Sequence, residues 1–319
     1  MDINYFSKSF NKYFNKFIKF PHVAKLTAFF LIFILLPYII YSHTGGQIES
    51  FNNDKTTYNN LTTLTGAQIY DDFYAKVYDD LLLCNEKNTF EISNIIKTTQ
   101  LSPKSSVLDI GSGTGHHVSL FKEANFEAIG LDLSPAMVKR AKVNYPTETY
   151  VVGDAMNGSH FMPNKFSLIT CLYFTMYYFK DKQQLLQNCI HWLQPGGYIV
   201  FHLVDKHKFD PILPPANPFI IVSPQKYADK RITTSEVKFD THDYSSTFKL
   251  EDDNRGIMYE SFKNKLDGSV RKHEHKLYFE TQKEILNFAR NVGFEFVTKI
   301  DMAKCQYENQ FMYILKKPN

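Results

Sequence analysis

From Ser106 to Asp205 the chain repeats one unit: a short apolar run, a turn, then a helical stretch. The runs "SVLDI" (106–110), "EAIGLDL" (127–133), "TYVVGD" (149–154), "FSLITCLYF" (166–174) and "YIVFHLV" (198–204) are mostly too apolar to keep one face in water. Strands buried on both faces belong to a parallel sheet, because helical crossovers join parallel neighbours and cover both sides. The pattern predicts a doubly wound, mostly parallel α/β domain. Ser134 followed by Pro135 marks a helix start after the second strand. Other helices are expected over 116–124 and over 181–193, the latter ending at "LQPGG".

On either side of this repeat the rhythm changes. Upstream, "AQIYDDFYAKVYDDLLL" puts Ile69, Phe73, Val77 and Leu81 on one helical face, and "FEISNIIKTT" predicts a second helix. Downstream, residues 206–280 carry prolines at 211, 214, 215, 218 and 224, then alternating stretches such as "SSTFKL", "GIMYESFKNK" and "RKHEHKLYFE". These predict an antiparallel β insertion after the fifth strand, able to cover the sheet's C-terminal edge as a substrate lid. "QKEILNFARNVGF" resumes as a helix ending at Gly293, and "FEFVTKI" and "QFMYILKK" close the chain as a strand pair.

In an open parallel sheet, ligands bind beyond the carboxyl ends of the strands, where the strand order switches. "VLDIGSGTGHH" (107–117) lies there, with Gly111, Gly113 and Gly115 leading into a helix N-terminus. A dinucleotide fingerprint would place its third glycine at position 116, where His116 stands instead. Asp132 ends the second strand, where a carboxylate can accept from ribose hydroxyls. Asp154 ends the third strand and Asp109 lies in the first. Three carboxylates on one edge suit a cationic ligand better than a pyrophosphate.

In order and spacing, "VLDIGSGTG", "AIGLDLSPAMVKRAK", "VVGDAMN", "FSLITCLYFTMYYFKD" and "WLQPGGYIVFHLVD" resemble the motifs of class I S-adenosylmethionine-dependent methyltransferases. The resemblance spans about 67–319 and implies a Rossmann-like seven-stranded sheet with the last strand antiparallel. It implies S-adenosyl-L-methionine as cofactor. Asp109, Gly111 and Gly113 would line its methionine end, Asp132 would bind both ribose hydroxyls, and Leu133 and Ala155 would pack on the adenine. Asp154 would accept from the adenine amino group, Leu172 and Tyr173 would flank the methionine portion and the methyl, and Tyr70 would close over the cofactor. Leu133, Ala155 and Tyr70 each also read as core packing, and the strand-end acids as simple caps.

Methyl transfer from a sulfonium needs alignment and water exclusion, and a general base only when the acceptor is protonated or weakly nucleophilic. The candidates on the pocket edge are Tyr173, Tyr177, Tyr178, His202 and Asp205, with Tyr173 and His202 in front. The alternating spacing of His202 on the fifth strand equally fits a buried structural histidine. "CLYF" stands at the fourth strand in place of an Asn-Pro-Pro-Tyr signature, which argues against methylation of nucleic-acid bases. A small-molecule acceptor, lipid-like or membrane-associated, is the expectation. The open alternatives are a catalytically silent, membrane-tethered binding protein and an NAD(P)-dependent oxidoreductase. Cys84, Cys171, Cys189 and Cys305 lack metal-ligand spacing, so no metal site is expected.

Composition adds one regional signal. The formal charge is +3, yet residues 1–25 alone carry five lysines against Asp2, leaving the rest near −1. A catalytic part without basic excess is a poor nucleic-acid binder. "NYFSKSFNKYFNKFIKF" (4–20) interleaves Phe6, Phe10 and Phe14 with lysines, the pattern of a basic amphipathic tail on a membrane surface. Residues 26–48 contain no Asp, Glu, Lys or Arg and predict a single transmembrane segment, followed by a polar linker over 49–66. A cleaved signal peptide is the competing reading. The lysine excess places the N-terminus in the cytosol and the domain across the membrane, whereas cofactor supply places the domain in the cytosol.

Overall fold

The computed structural model of the protein describes residues 63–212 and 224–319. The basic tail 1–25, the candidate span 26–48 and most of the linker lie outside the described residues. Among the described residues no helix is long and apolar enough to cross a membrane. The sequence assigns 63–66 to the linker. Instead β1 (Thr63–Thr65) pairs in parallel with a strand of the insertion, and Gly66 opens a short 3-10 turn. Only the hydrogen-bonding edge it meets, far away in sequence, turns these polar residues into a strand.

The first full helix starts later than its apolar stripe suggests. In α1 (Asp72–Leu82) the Asp71 carboxylate accepts the N–H groups of Phe73 and Tyr74 at 3.1 Å each, and this cap sets the boundary. α2 (Asn85–Thr99) follows, ending in a left-handed Gln100.

The alternating region then builds the main sheet. Its strands are β2 (Ser106–Ile110), β3 (Glu127–Asp132), β4 (Thr149–Val152), β5 (Phe166–Cys171) and β6 (Leu193–Val204). Between them run α3 (His116–Glu123), α4 (Pro135–Asn144), a short α5 (Thr175–Tyr178) and α6 (Lys182–Trp192). Ile199, Val200 and Phe201 are consecutive in β6 and all fully buried, as a sheet covered on both faces requires. Two expected strands stop short: the third at Val152 and the fourth at Cys171, which moves Asp154 and Tyr173 into loops. The "LQPGG" turn is absorbed into β6, with Gly196 at φ +74° and a register shift opposite Phe166–Leu168.

The insertion forms a second sheet from β7 (Thr234–Lys238), β8 (His242–Asp252), β9 (Arg255–Asn264) and β10 (Val270–Tyr278). Its order is β1-β10-β9-β8-β7, antiparallel throughout except for β1. The chain returns through α7 (Gln282–Val292), which has a Thr281–Glu284 capping box and ends at Gly293. β11 (Glu295–Asp301) and β12 (Gln310–Lys316) pair antiparallel and complete the main sheet. The strand order β11-β12-β6-β5-β2-β3-β4 reverses direction only at β12. The expected Rossmann-like, seven-stranded, doubly wound fold is the one observed. Its switch point lies between β2 and β5, with the glycine loop directly above it.

Candidate active site

The loop after β2 is held by the residue that ends β3. Asp132 accepts the Gly113 N–H on one carboxylate oxygen and the Ser134 N–H on the other, both at 2.8 Å. Gly111 and Gly113 sit at φ +70° and +54°, backbone that a side chain would strain. A Cβ at Gly111 would also lie 2.5 Å from the Thr175 methyl. At Gly113 the nearest atom to such a Cβ is 3.7 Å away on Tyr78, so this part of the loop stays open to a ligand. From α1, Asp79 accepts the Thr114 hydroxyl at 2.5 Å and lies 3.3 Å from the His116 ring. His116 therefore anchors the loop from outside the cavity.

Above the loop is a cavity of about 560 Å³. The main sheet contributes Gly111, Gly113, Asp132, Leu133, Asp154 and Ala155 to its wall. Leu133 is 55% exposed, and that apolar surface lines the cavity, so the core-packing reading of this residue does not hold. Ala155 is buried at the wall, and its carbonyl accepts from Asn188 at 2.9 Å. Asp154 is exposed, its carboxylate accepting the Met156 N–H at 2.9 Å. Burial raises the Asp132 carboxyl above its ordinary range, offset by the two backbone N–H groups.

The helices and loops add an aromatic wall: Tyr70, Tyr74, Tyr78, Tyr173 and Tyr178. Tyr70 meets the rings of Tyr74, Tyr178 and His275 edge-to-face, at centroid distances of 5.5, 6.1 and 5.9 Å. Tyr173 takes a left-handed backbone at φ +53°, and Lys87 lies 5.3 Å from its ring centroid. Lys87 in turn pairs with the fully buried Glu91 at 2.8 Å, which also holds His117 at 2.9 Å. Despite burial, these partners hold the Glu91 carboxyl down to about 2.

Five expected site residues are not in the cavity wall: Tyr177, Asp205, Asp109, Leu172 and His202. Tyr177 is fully buried, its hydroxyl accepting the Val204 N–H at 2.8 Å, and Asp205 accepts the His207 N–H at 3.1 Å beyond β6. Asp109 is buried under the loop, accepting the Thr170 hydroxyl at 2.7 Å, and burial raises its pKa. Leu172 is buried in the cluster on the other side, with Val107, Leu168 and Val200. His202 is fully buried in β6, packed against the rings of Tyr173 and Phe174 at 6.4 and 6.3 Å. Burial pulls its pKa down to about 4, so it is a neutral histidine beneath the floor. Both faces of β6 are covered from 199 to 204, so position 202 is buried whichever face it takes.

The insertion supplies what the sequence reading overlooked. Tyr244, Met258, Glu260, His275 and Leu277 close the cavity from β8, β9 and β10. Glu260 is buried, and four groups converge on it. Tyr74 and Tyr244 donate to Oε1 at 3.2 and 2.8 Å, while His273 and His275 contact Oε2 at 3.1 and 2.7 Å. Burial would raise the Glu260 carboxyl, but the two histidines and these bonds drive it far below its ordinary range. A signal was present: His273, His275 and Leu277 alternate along β10, so two histidines share the inward face with an apolar residue.

Residues 108–201 match the methyltransferase domain family. Over 141 residues the chain is 29% identical to a dTDP-4-amino-2,3,4,6-tetradeoxy-D-glucose N,N-dimethyltransferase of Saccharopolyspora spinosa, covering 42% of this chain and 55% of that protein. A phosphoethanolamine N-methyltransferase of Plasmodium falciparum is 27% identical over 161 residues, covering 48% and 58%. The chain thus spans little more than half the length of these relatives. Among solved structures, an S-adenosylmethionine-dependent methyltransferase from Clostridium acetobutylicum superposes with a TM-score of 0.60 at 19% identity, covering 78% of this chain and 99% of that one. The fold is that of class I S-adenosylmethionine-dependent methyltransferases. The enzyme class and cofactor expected from the sequence agree with these similarities, and none of them supports the oxidoreductase alternative.

Proposed function

We propose that this protein is an S-adenosylmethionine-dependent methyltransferase that methylates the nitrogen of a small-molecule amine and is tethered to a membrane by residues 26–48. The observation carrying the reading is Asp132. Its carboxylate holds the glycine loop through one oxygen and the Ser134 N–H through the other, while facing the cavity beside the exposed Leu133. A ribose fits the carboxylate's remaining lone pairs, an adenine ring fits Leu133, and a sulfonium suits an acidic cavity. When bound, the cofactor supplies an already activated methyl group on sulfur. The protein then has to orient the acceptor and exclude water, which the insertion does by roofing the strand ends.

Nitrogen as the acceptor atom is supported by two relatives named as N-methyltransferases. The wall supports it as well. Among the described residues its charged groups are Asp132, Asp154, Asp181, Asp210 and Glu260 against Lys180. Aromatic faces and carboxylates together favour a cation. Tethering rests on the uncharged stretch 26–48 behind a lysine-rich tail.

The reading is tested by titrating the protein with S-adenosylmethionine and with NADH, then assaying labelled methyl transfer to an amine panel. Binding of the first alone, with product on nitrogen, is expected. NADH binding without S-adenosylmethionine binding would overturn it. For the tether, the full chain should stay in membranes after carbonate extraction, and deletion of 26–48 should release it.

A further inference from the structure

Tyr178 ends α5 at the cavity, and it is 37% exposed. Its hydroxyl lies 2.9 Å from His275 Nδ1, whose other nitrogen lies 2.7 Å from Glu260 Oε2. From the methionine-side loop to the insertion, these three side chains form one continuous line. Tyr178 is one of the pocket-edge tyrosines of the fourth-strand motif, whereas His275 and Glu260 come from the insertion.

The neighbours settle where the protons lie. Arg271 Nε donates to His273 Nε2 at 2.6 Å, so His273 carries its proton on Nδ1 and gives it to Glu260. Tyr74 and Tyr244 occupy the other carboxylate oxygen with their hydroxyl protons. Glu260 is therefore a charged acceptor of four hydrogen bonds, and His275 must present its Nε2–H to it. In the neutral ring that leaves His275 Nδ1 bare and able to accept from Tyr178. Glu260, His273 and His275 are close enough together to hold a cation. Each of their contacting atoms is already matched donor to acceptor, so the cluster is complete as a hydrogen-bond network.

We propose that Tyr178 is the catalytic base of the methyl transfer, taking a proton from an alkylammonium acceptor as its own proton passes to His275 Nδ1. This rests on the methyltransferase reading above. His275 and Glu260 are positioning residues: the first receives the relayed proton, and the second stabilises the imidazolium. The balance is simple. The acceptor R–NH3⁺ loses H⁺ to the Tyr178 oxygen, and the freed amine lone pair forms the N–C bond. The methyl carbon's bond to sulfur breaks with its electron pair left on the neutral thioether, and the extra proton rests on His275 until solvent removes it. The products are R–NH2⁺–CH3, the thioether and a protonated histidine.

The relay has a physical motive. An ammonium and a sulfonium cannot approach to reacting distance without repulsion, and a protonated amine has no lone pair to attack with. Burial pushes the Tyr178 hydroxyl well above its ordinary range, with a hydrogen bond from Tyr70 only partly opposing. Tyr178 is thus a neutral phenol at rest and can accept a proton only by passing its own onward. The titratable and charged groups facing this line are Tyr70, Tyr74, Tyr78, Tyr173, Tyr244, His273 and Arg271.

Two measurements on the full chain in detergent decide the matter. In ¹⁵N-histidine NMR, His275 should carry its proton on Nε2, with Nδ1 unprotonated and shifted in Tyr178→Phe. A proton on Nδ1 in the resting protein would overturn the relay. With n-butylamine as the probe acceptor, Tyr178→Phe should bind S-adenosylmethionine as wild type does while kcat falls about 10²-fold or more at pH 7. The lost rate should return as the pH rises past the amine's own pKa, a rescue that a structural role would not give. His275→Asn should behave alike. A Tyr178→Phe rate within threefold of wild type would sink the proposal, and wild type that binds cofactor but ignores n-butylamine would sink the amine assignment. A wild-type protein that binds no S-adenosylmethionine refutes the underlying function instead.

Discussion

The two walls of the cavity are made differently. The main-sheet wall is backbone architecture: a glycine loop at positive φ, strand ends and one carboxylate tying them together within 24 residues. The insertion wall is a side-chain network in which Tyr74, Tyr244, Glu260 and His275 meet across 186 to 15 residues of separation. The first can lose a side chain and keep its shape. The second rests on the ladder of β8, β9 and β10, but its cavity-facing contacts are made by side chains.

Glu260→Gln tests that contrast most severely. The amide can accept at one atom only, so two of the four donors are left facing an N–H2 group. At about 1–3 kcal/mol for each orphaned buried group, roughly 4 kcal/mol of stability should be lost, read by urea unfolding. The sign with pH follows from the depressed carboxyl. Its stabilisation is present above the ordinary carboxylate range and lost as pH falls through and below it. A variant as stable as wild type would mean the network is ornamental and the two walls are alike.

His202 lies beneath both. The unfolded chain takes up its proton near pH 6.5, the folded chain only near 4. Stability should therefore be full above 6.5 and decline by roughly 3 kcal/mol as pH drops toward 4. His202→Leu should flatten that decline in unfolding curves at pH 7 and pH 5. An unchanged slope would refute a neutral buried histidine.

On the main-sheet wall the effects should appear in binding. If Asp132 binds the ribose as proposed, Asp132→Ala should weaken S-adenosylmethionine about 100-fold by calorimetry, near 2.7 kcal/mol. Unfolding stability should fall less than in Glu260→Gln, because the Gly113 and Ser134 N–H groups it frees are only part-buried beside the cavity. Leu133→Ala is the mildest: roughly tenfold weaker cofactor binding and an unchanged melting temperature, since the side chain is 55% exposed. A drop in melting temperature would return Leu133 to the core.

Much of the first wall could be read from the chain alone, because its parts are local. Asp132, Leu133, Asp154 and Ala155 lie at or within three residues of strand ends, and periodicity finds strand ends within a few residues. Asp109 lies in β2 and Leu172 just past β5, yet the structure places neither side chain in the cavity wall. In the same way His202 goes under the floor. Along a strand, the sequence tells which residues share a face but not which face meets the ligand.

The amino-acid sequence by itself determined the strand–helix alternation, the glycine loop, the extra antiparallel insertion and the uncharged N-terminal stretch. Each is a pattern of neighbours, set by backbone freedom, side-chain period and water's exclusion of apolar surface. The tertiary structure alone decided that Thr63–Thr65 is a strand, that Glu260 carries four hydrogen bonds, and that Tyr178 meets His275 across 97 residues. A buried carboxylate and an unprotonated imidazole nitrogen become chemistry only when folding removes water and supplies the partners. No local pattern records that.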